Sequence, residues 1–199
     1  MPSPPENFSL SGYFLRVLLW LPVFFALWYF LSGFFNIVPG LASQWLANIL
    51  YNGLVVQIES AGRHIEYITS LKMQAADGAG VGNVVVTLNP LIYSWNIPVL
   101  LALCFAVHDS LFSNARVVLA IAALFPLHAW GLTAELFATV LFRQGTAVAE
   151  QVDYSGWQLE AVAMAYQFGY LMLPVIGAVS IWFLANRQLV EQLMANKGR

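Results

Sequence analysis

The chain has few charged residues and no basic cluster. Of its 199 residues only 9% are Asp, Glu, Lys or Arg, whereas 60% are hydrophobic. A soluble domain of this composition would lack the polar surface that it needs to face water. The net charge of -2 and the lack of a Lys- or Arg-rich run provide no positive field for nucleic acid. The sequence therefore excludes nucleic acid as a partner and indicates that the lipid bilayer is the solvent.

Cysteine is almost absent as well. The single cysteine, Cys104, lies inside an apolar stretch, so no disulfide can form within the chain. A reactive thiol needs a polar setting and a basic neighbour, and the surrounding sequence of Cys104 has neither. We expect Cys104 to be a small buried apolar side chain.

What the chain does have is long hydrophobic stretches. They cover residues 14–38, 91–107, 117–142 and 161–185. Each reaches or approaches the roughly 17 to 25 residues that a helix needs to cross a hydrocarbon core about 30 Å thick. The predicted fold is a mainly α, polytopic membrane protein with four transmembrane helices.

The basic residues predict how these helices are oriented. If both termini lie in the cytoplasm, the inner side carries five basic residues and the outer side carries three. The inner set is Arg16, Arg116, Arg187, Lys197 and Arg199, and the outer set is Arg63, Lys72 and Arg143. This excess predicts a multi-pass protein of a bacterial cytoplasmic (inner) membrane with both termini inside.

The segment between the first two stretches has a different pattern. We divide the chain into residues 1–38, an outer insert at residues 39–90, and residues 91–199. In the insert we expect a break at Pro39-Gly40, an amphipathic helix within residues 41–51, and then alternating strands at 55–59, 64–73 and 83–88. The glycine-rich residues 77–82 match no phosphate-binding pattern and are interpreted as a hairpin loop. The insert is therefore predicted to be a small β-rich extracytoplasmic domain.

A short polar and aromatic segment joins the insert to the second stretch. Its sequence is Asn-Pro-Leu-Ile-Tyr-Ser-Trp-Asn, and its candidate interface residues are Asn89, Pro90, Tyr93, Trp95 and Asn96. Together with one preceding span and a β-rich insert, this segment resembles the exosortase H-associated membrane proteins. The resemblance implies an exosortase, a polytopic cysteine transpeptidase of a protein-sorting system, as partner. It supplies no catalytic residues.

Two ionisable residues occur within the third stretch. His128 and Glu135 are seven positions apart and therefore lie on nearly one helix face, close to Pro126. Counted along the spans, Tyr166 and Gln167 come to about the depth of Glu135, so a hydrogen bond between helices is available. This polar cluster either holds the helices together or forms a proton relay.

The remaining chemistry is limited. The histidines differ in depth and do not form a haem pair, and no His-x-x-Glu or Cys-x-x-Cys pattern offers a metal site. We therefore assign no catalytic residue, cofactor or metal. The favoured function is a non-catalytic accessory subunit of a membrane complex, linked to an exosortase-type system, with the insert as docking surface. The alternative is a membrane enzyme or small proton-coupled transporter that uses His128 and Glu135.

Overall fold

The computed structural model describes residues 10–74, 80–107, 115–187 and 191. The helices are α1 (Leu10–Leu50), α2 (Leu91–Ser94), α3 (Asn96–Val107), α4 (Ala115–Phe142), α5 (Thr146–Val152), α6 (Trp157–Gln167) and α7 (Leu173–Ala185). A π-helical turn, Phe168–Met172, joins α6 to α7, and the strands are β1 (Val55–Ala61), β2 (His64–Gln74) and β3 (Val81–Leu88). The predicted glycine-rich loop lies partly outside the described residues.

Three helical segments are long and apolar enough to cross a membrane. They are Ser11–Leu50, Val117–Phe142 and Trp157–Ala185. The other predicted span, Leu91–Val107, is a shorter apolar segment that divides at Trp95 into α2 and α3, and the next described residue after Val107 is Ala115. The mainly helical fold with a small sheet is confirmed, whereas four spans stay a prediction.

Helix α1 corrects one expectation. The predicted break at Pro39-Gly40 was wrong, because α1 continues without interruption to Leu50. Proline removes one helical hydrogen bond, but neighbouring structure can compensate for that loss in apolar helices. Here the turn after Pro39 packs on the sheet: a Cβ atom on Gly40 would lie 2.8 Å from Ile65 Cδ1. The small residues after Pro39 allow this close packing, which stabilises the helix where the local sequence predicts an end.

The three strands form one antiparallel sheet in the order β1-β2-β3. Alternation of side chains places one face of β2 and β3 in the core, namely Ile65, Tyr67, Thr69, Leu71, Val84, Val86 and Leu88. The turn between β1 and β2 uses Gly62 at φ +65°, a conformation that glycine adopts at little cost. The predicted antiparallel strands are therefore confirmed, and each extends one or two residues beyond its predicted range at one end.

The described chain separates into two compact units. The aromatic unit comprises the described residues of Met1–Leu31, Trp95–Leu124 and Val175–Arg199, and the sheet unit comprises Ser32–Ser94 and Phe125–Pro174. In the aromatic unit, rings from α1 and α3 meet, with Phe24 and Phe105 centroids 4.7 Å apart. In the sheet unit, the buried sheet face joins apolar side chains of α4 and α5 in one core.

The last turns of α1 are amphipathic, and the face that contacts the sheet is the small and polar one. Ser43 and Ala47 are fully buried there, and the Asn48 side chain pairs with both backbone groups of Val55 at 2.8 and 3.0 Å. The large apolar residues lie on the other face: Trp45 is 65% exposed and Ile49 is 59% exposed. The apolar stripe is thus left facing outward.

Candidate functional site

The central contact of the candidate site joins the segment after β3 to α4. The Tyr93 hydroxyl donates a hydrogen bond to Glu135 Oε2 at 3.0 Å. Both residues are buried, with Tyr93 1% and Glu135 7% exposed. Tyr93 is held in place because Pro90 begins a helical turn in which the Pro90 carbonyl accepts from the Tyr93 and Ser94 amides, each at 3.1 Å. A buried carboxyl group is costly unless it has a partner, and Tyr93 is that partner.

Two glycines make room for this contact. A Cβ atom on Gly131 would overlap the Tyr93 ring, at 2.5 Å from Cε1, so Tyr93 lies directly on the bare backbone of α4. A Cβ atom on Gly169, in the π-helical turn, would lie 3.2 Å from Gly131 Cα. Small residues at such crossings let helices approach closely. Tyr93, Gly131 and Gly169 therefore pack as a single close crossing, one turn along α4 from Glu135.

Tyr166 and Gln167 were expected beside Glu135. In the part of the chain that the structure describes, Glu135 accepts its hydrogen bond from Tyr93, and the cluster with Tyr166 and Gln167 stays a prediction. The Tyr166 hydroxyl accepts a hydrogen bond from Arg143 Nη2 at 2.9 Å, and the Arg143 guanidinium lies 5.2 Å from the centre of the Tyr166 ring. Gln167 is exposed on α6. Depth along a span was estimated from residue counts, but those counts do not fix which side of the helix a residue faces.

His128 is buried on α4 and is 3% exposed. Its ring centre lies 6.3 Å from that of Phe125 in a tilted arrangement. Among the described residues, no group of three or more His, Cys, Asp or Glu is arranged to hold a metal ion. The structural role of His128 and Glu135 and its alternative, a role in proton transfer, both stay predictions.

The rest of the joining segment has structural contacts. The Asn89 side chain accepts a hydrogen bond from the Leu91 amide at 3.1 Å, which caps the turn that Pro90 begins. Asn96 is fully buried at the start of α3, and Trp95 is half-buried between α2 and α3.

Sequence reasoning missed a second polar contact, between α1 and the sheet. Ser43 Oγ donates to the Gly40 carbonyl at 2.7 Å, so the Tyr67 hydroxyl, 2.6 Å away, donates to Ser43 Oγ. Burial raises the pKa of Tyr67 to about 12, and the hydroxyl keeps its proton at neutral pH. The alternation that predicted β2 identified Tyr67 as inward-facing, but nothing local identified Ser43 as its partner.

Helix α5 was also missed. Its residue Gln151 pairs with the Lys72 backbone through two hydrogen bonds, accepting from the amide at 2.8 Å and donating to the carbonyl at 2.7 Å. Its seven residues make only about two helical turns, which is too short a stretch to establish a helical period. The Gln151 side chain thus bonds to the edge of β2 beyond the point where β1 ends.

Comparison with known protein families identifies the family of this chain. The family model for the exosortase H-associated membrane proteins matches residues 7–189, nearly the whole chain. The chain belongs to this family. No curated protein and no solved structure matches it at a significant level. The family name describes a membrane protein that is associated with an exosortase system. The resemblance at residues 89–96 predicted the same family.

Proposed function

We propose that the chain is a non-catalytic accessory subunit of an exosortase-type sorting complex in a bacterial inner membrane. The outer insert at residues 39–90 docks a polytopic partner. The observation that carries this docking role is the outward apolar stripe on the last turns of α1, formed by Leu41, Trp45, Ile49 and Leu50. The sorting setting rests on family membership.

The length of α1 supports a protein partner for this stripe. Its 41 residues make a helix of about 60 Å, about twice the thickness of a hydrocarbon core. If residues 14–38 cross the membrane, the turns that carry Trp45 and Ile49 extend beyond the core. Large apolar side chains in contact with water are a typical feature of protein interfaces.

An exposed amide on a span gives independent support. Gln167 lies on α6, within the apolar segment Trp157–Ala185, and its side chain is exposed. In a lipid environment an amide without a hydrogen-bond partner is costly, and amides between helices are a common source of association. The partner therefore supplies a hydrogen-bonding group at this position.

The proposal includes a topology. Both termini lie in the cytoplasm, four spans cross the membrane, and residues 39–90 lie on the outer side. A cysteine introduced at Gly80 should react with an impermeant reagent in intact cells, whereas one introduced at Lys197 should not. The opposite pattern would invert the topology.

Co-purification tests the docking role. The full-length chain is expressed with the exosortase of the same cell and isolated in a gentle detergent, and the bound exosortase is quantified by mass spectrometry. Replacing both Trp45 and Ile49 by serine should lower the recovered exosortase about tenfold or more, because buried aromatic anchors dominate interface energies. Val56→Ser is the matched control, since Val56 is 61% exposed on β1, away from the stripe. Unchanged recovery in the double variant would overturn the proposal.

A further inference from the structure

A groove lies between α1 and the turn that joins β1 to β2. Its lining is partly apolar and partly polar. The apolar side chains include Ile37, Ile58 and Ile65, and the exposed polar side chains, here called the rim, include Glu59, Arg63 and His64. It is distinct from the Tyr93–Glu135 contact, and it meets the proposed docking stripe at Leu41, which lines the groove.

One polar side chain lies on the α1 wall. Asn36 lines the groove and is only 6% exposed. A side-chain amide carries both hydrogen-bond donors and an acceptor. A polar group that reaches into the groove can therefore bond to the Asn36 amide.

The helix wall is open at Gly33 and closely packed at Gly40. Gly33, Asn36, Ile37 and Gly40 follow the spacing of one helix face. A Cβ atom on Gly33 would meet nothing within 4 Å, so the groove is open beside this residue. Gly33 and Ile37 belong to the predicted first span, whereas Arg63 belongs to the outer insert. A ligand that fills the groove must therefore be apolar at one end and polar at the other.

The rim carries charges of both signs. The Arg63 guanidinium and the Glu59 carboxylate line the same groove, and Glu59 also accepts a hydrogen bond from Gln57 Nε2 at 2.9 Å. Glu66 lies directly opposite Glu59 across the β1–β2 pair, which adds a second negative charge nearby. A purely anionic headgroup would complement Arg63 but would be repelled by these carboxylates.

We propose that this groove binds a zwitterionic aminophospholipid, of the phosphatidylethanolamine class. The lipid phosphate accepts hydrogen bonds from Arg63 and from the Asn36 amide, the primary ammonium donates to Glu59, and an acyl chain lies along Gly33 and Ile37. A quaternary choline headgroup has no N–H to donate, and a glycerol headgroup has no positive charge. The groove therefore selects an ethanolamine headgroup over both.

Native mass spectrometry tests the proposal on the full chain. The delipidated protein is placed in nanodiscs with equal parts of phosphatidylethanolamine, phosphatidylglycerol and phosphatidylcholine, and the retained lipids are identified by mass. We expect phosphatidylethanolamine to be retained about tenfold over each of the others, as one charge-assisted hydrogen bond predicts. Soluble glycerophosphoethanolamine should not displace the lipid. Equal retention, preference for phosphatidylglycerol, displacement by the soluble headgroup, or a retained peptide in place of lipid would each overturn the proposal.

Variants connect the binding to the groove. Gly33→Leu fills the open space and should abolish lipid retention, whereas Ala26→Leu, a matched change at an exposed position of α1 outside the groove, should not. Because Glu59 is exposed, Glu59→Gln should leave the fold unchanged. The ratio of retained phosphatidylethanolamine to retained phosphatidylcholine should fall to about one. If Gly33→Leu does not fold, Glu59→Gln decides the question. An unchanged lipid preference in Glu59→Gln would contradict the proposal.

Discussion

Each of the two compact units is stabilised internally by a different kind of side-chain contact. In the aromatic unit, ring contacts such as Trp20 with Phe105, at 5.5 Å, dominate the packing. The sheet unit combines an apolar core with buried side-chain hydrogen bonds, among them Tyr93–Glu135 and Ser43–Tyr67. Ring packing depends on shape and tolerates exchange among apolar residues, whereas a buried hydrogen bond requires one specific partner. The sheet unit should therefore be the more sensitive to small chemical changes.

The largest expected effect is in the aromatic unit. Phe105→Ala removes a ring that packs on both Trp20 and Phe24, and it should lower the free energy of unfolding by about 3 kcal/mol. Hydrogen exchange should increase in α3 and leave β2 protected. Phe105→Leu, which keeps most of the volume, should cost about 1 kcal/mol. Equal deprotection of β2 by Phe105→Ala would show that the two units unfold together.

A single methyl group should disrupt the sheet unit. Gly131→Ala forces a Cβ atom into the Tyr93 ring, and we expect a loss of about 2 kcal/mol with increased exchange around α2. Gly33→Ala is the matched control, because its Cβ atom meets no neighbour. The difference between the two variants, measured by unfolding in mixed detergent, isolates the contact. Similar stability of the two proteins would argue against the close approach of Tyr93 to α4.

Substitutions at Glu135 separate structure from chemistry. Glu135→Leu leaves the Tyr93 hydroxyl without its acceptor and should cost about 1 kcal/mol, whereas Glu135→Gln keeps an acceptor and should be nearly silent. The measurement is protein abundance in the membrane together with the sorting phenotype of the cell. Only proton transfer needs a group that titrates. Loss of sorting in Glu135→Gln at normal abundance would favour the enzyme or transporter alternative.

Substitutions in the contact between α1 and the sheet should have no larger effect than Glu135→Leu. Tyr67→Phe and Ser43→Ala should each cost about 1 kcal/mol, and the double variant should cost little more than either one, because both remove the same hydrogen bond. A double-mutant cycle measures this coupling. Fully additive losses would mean that the two side chains contribute independently.

The parts of the fold that the sequence predicted are those that local pattern determines. Strands β1 to β3 follow from alternation and from the turn at Gly62, and the long apolar helices follow from their length. The continuity of α1 through Pro39 could not be predicted in this way. It depends on the close fit of Gly40 beneath Ile65, a residue on another element.

The sequence did not indicate the hydrogen bond between Tyr93 and Glu135. Glu135 and Tyr93 were each singled out, for different reasons and 42 positions apart. Residue counts along a span give the depth of a residue in the membrane. They do not show which neighbour a side chain faces, or that the helical segment is interrupted at Trp95. The pairing of Tyr166 with Arg143 arises from the loop after α4, which has no periodic signal.

The Gln151 side chain has a consequence for solubility. Strand β1 covers β2 only as far as the bond from the Ser70 amide to the Leu54 carbonyl, and the peptide groups of Lys72 lie beyond it. Exposed peptide groups along a strand edge are where a second chain adds as an extra strand. By pairing with both groups, Gln151 closes this part of the edge to intermolecular strand addition and so protects the chain against aggregation during assembly.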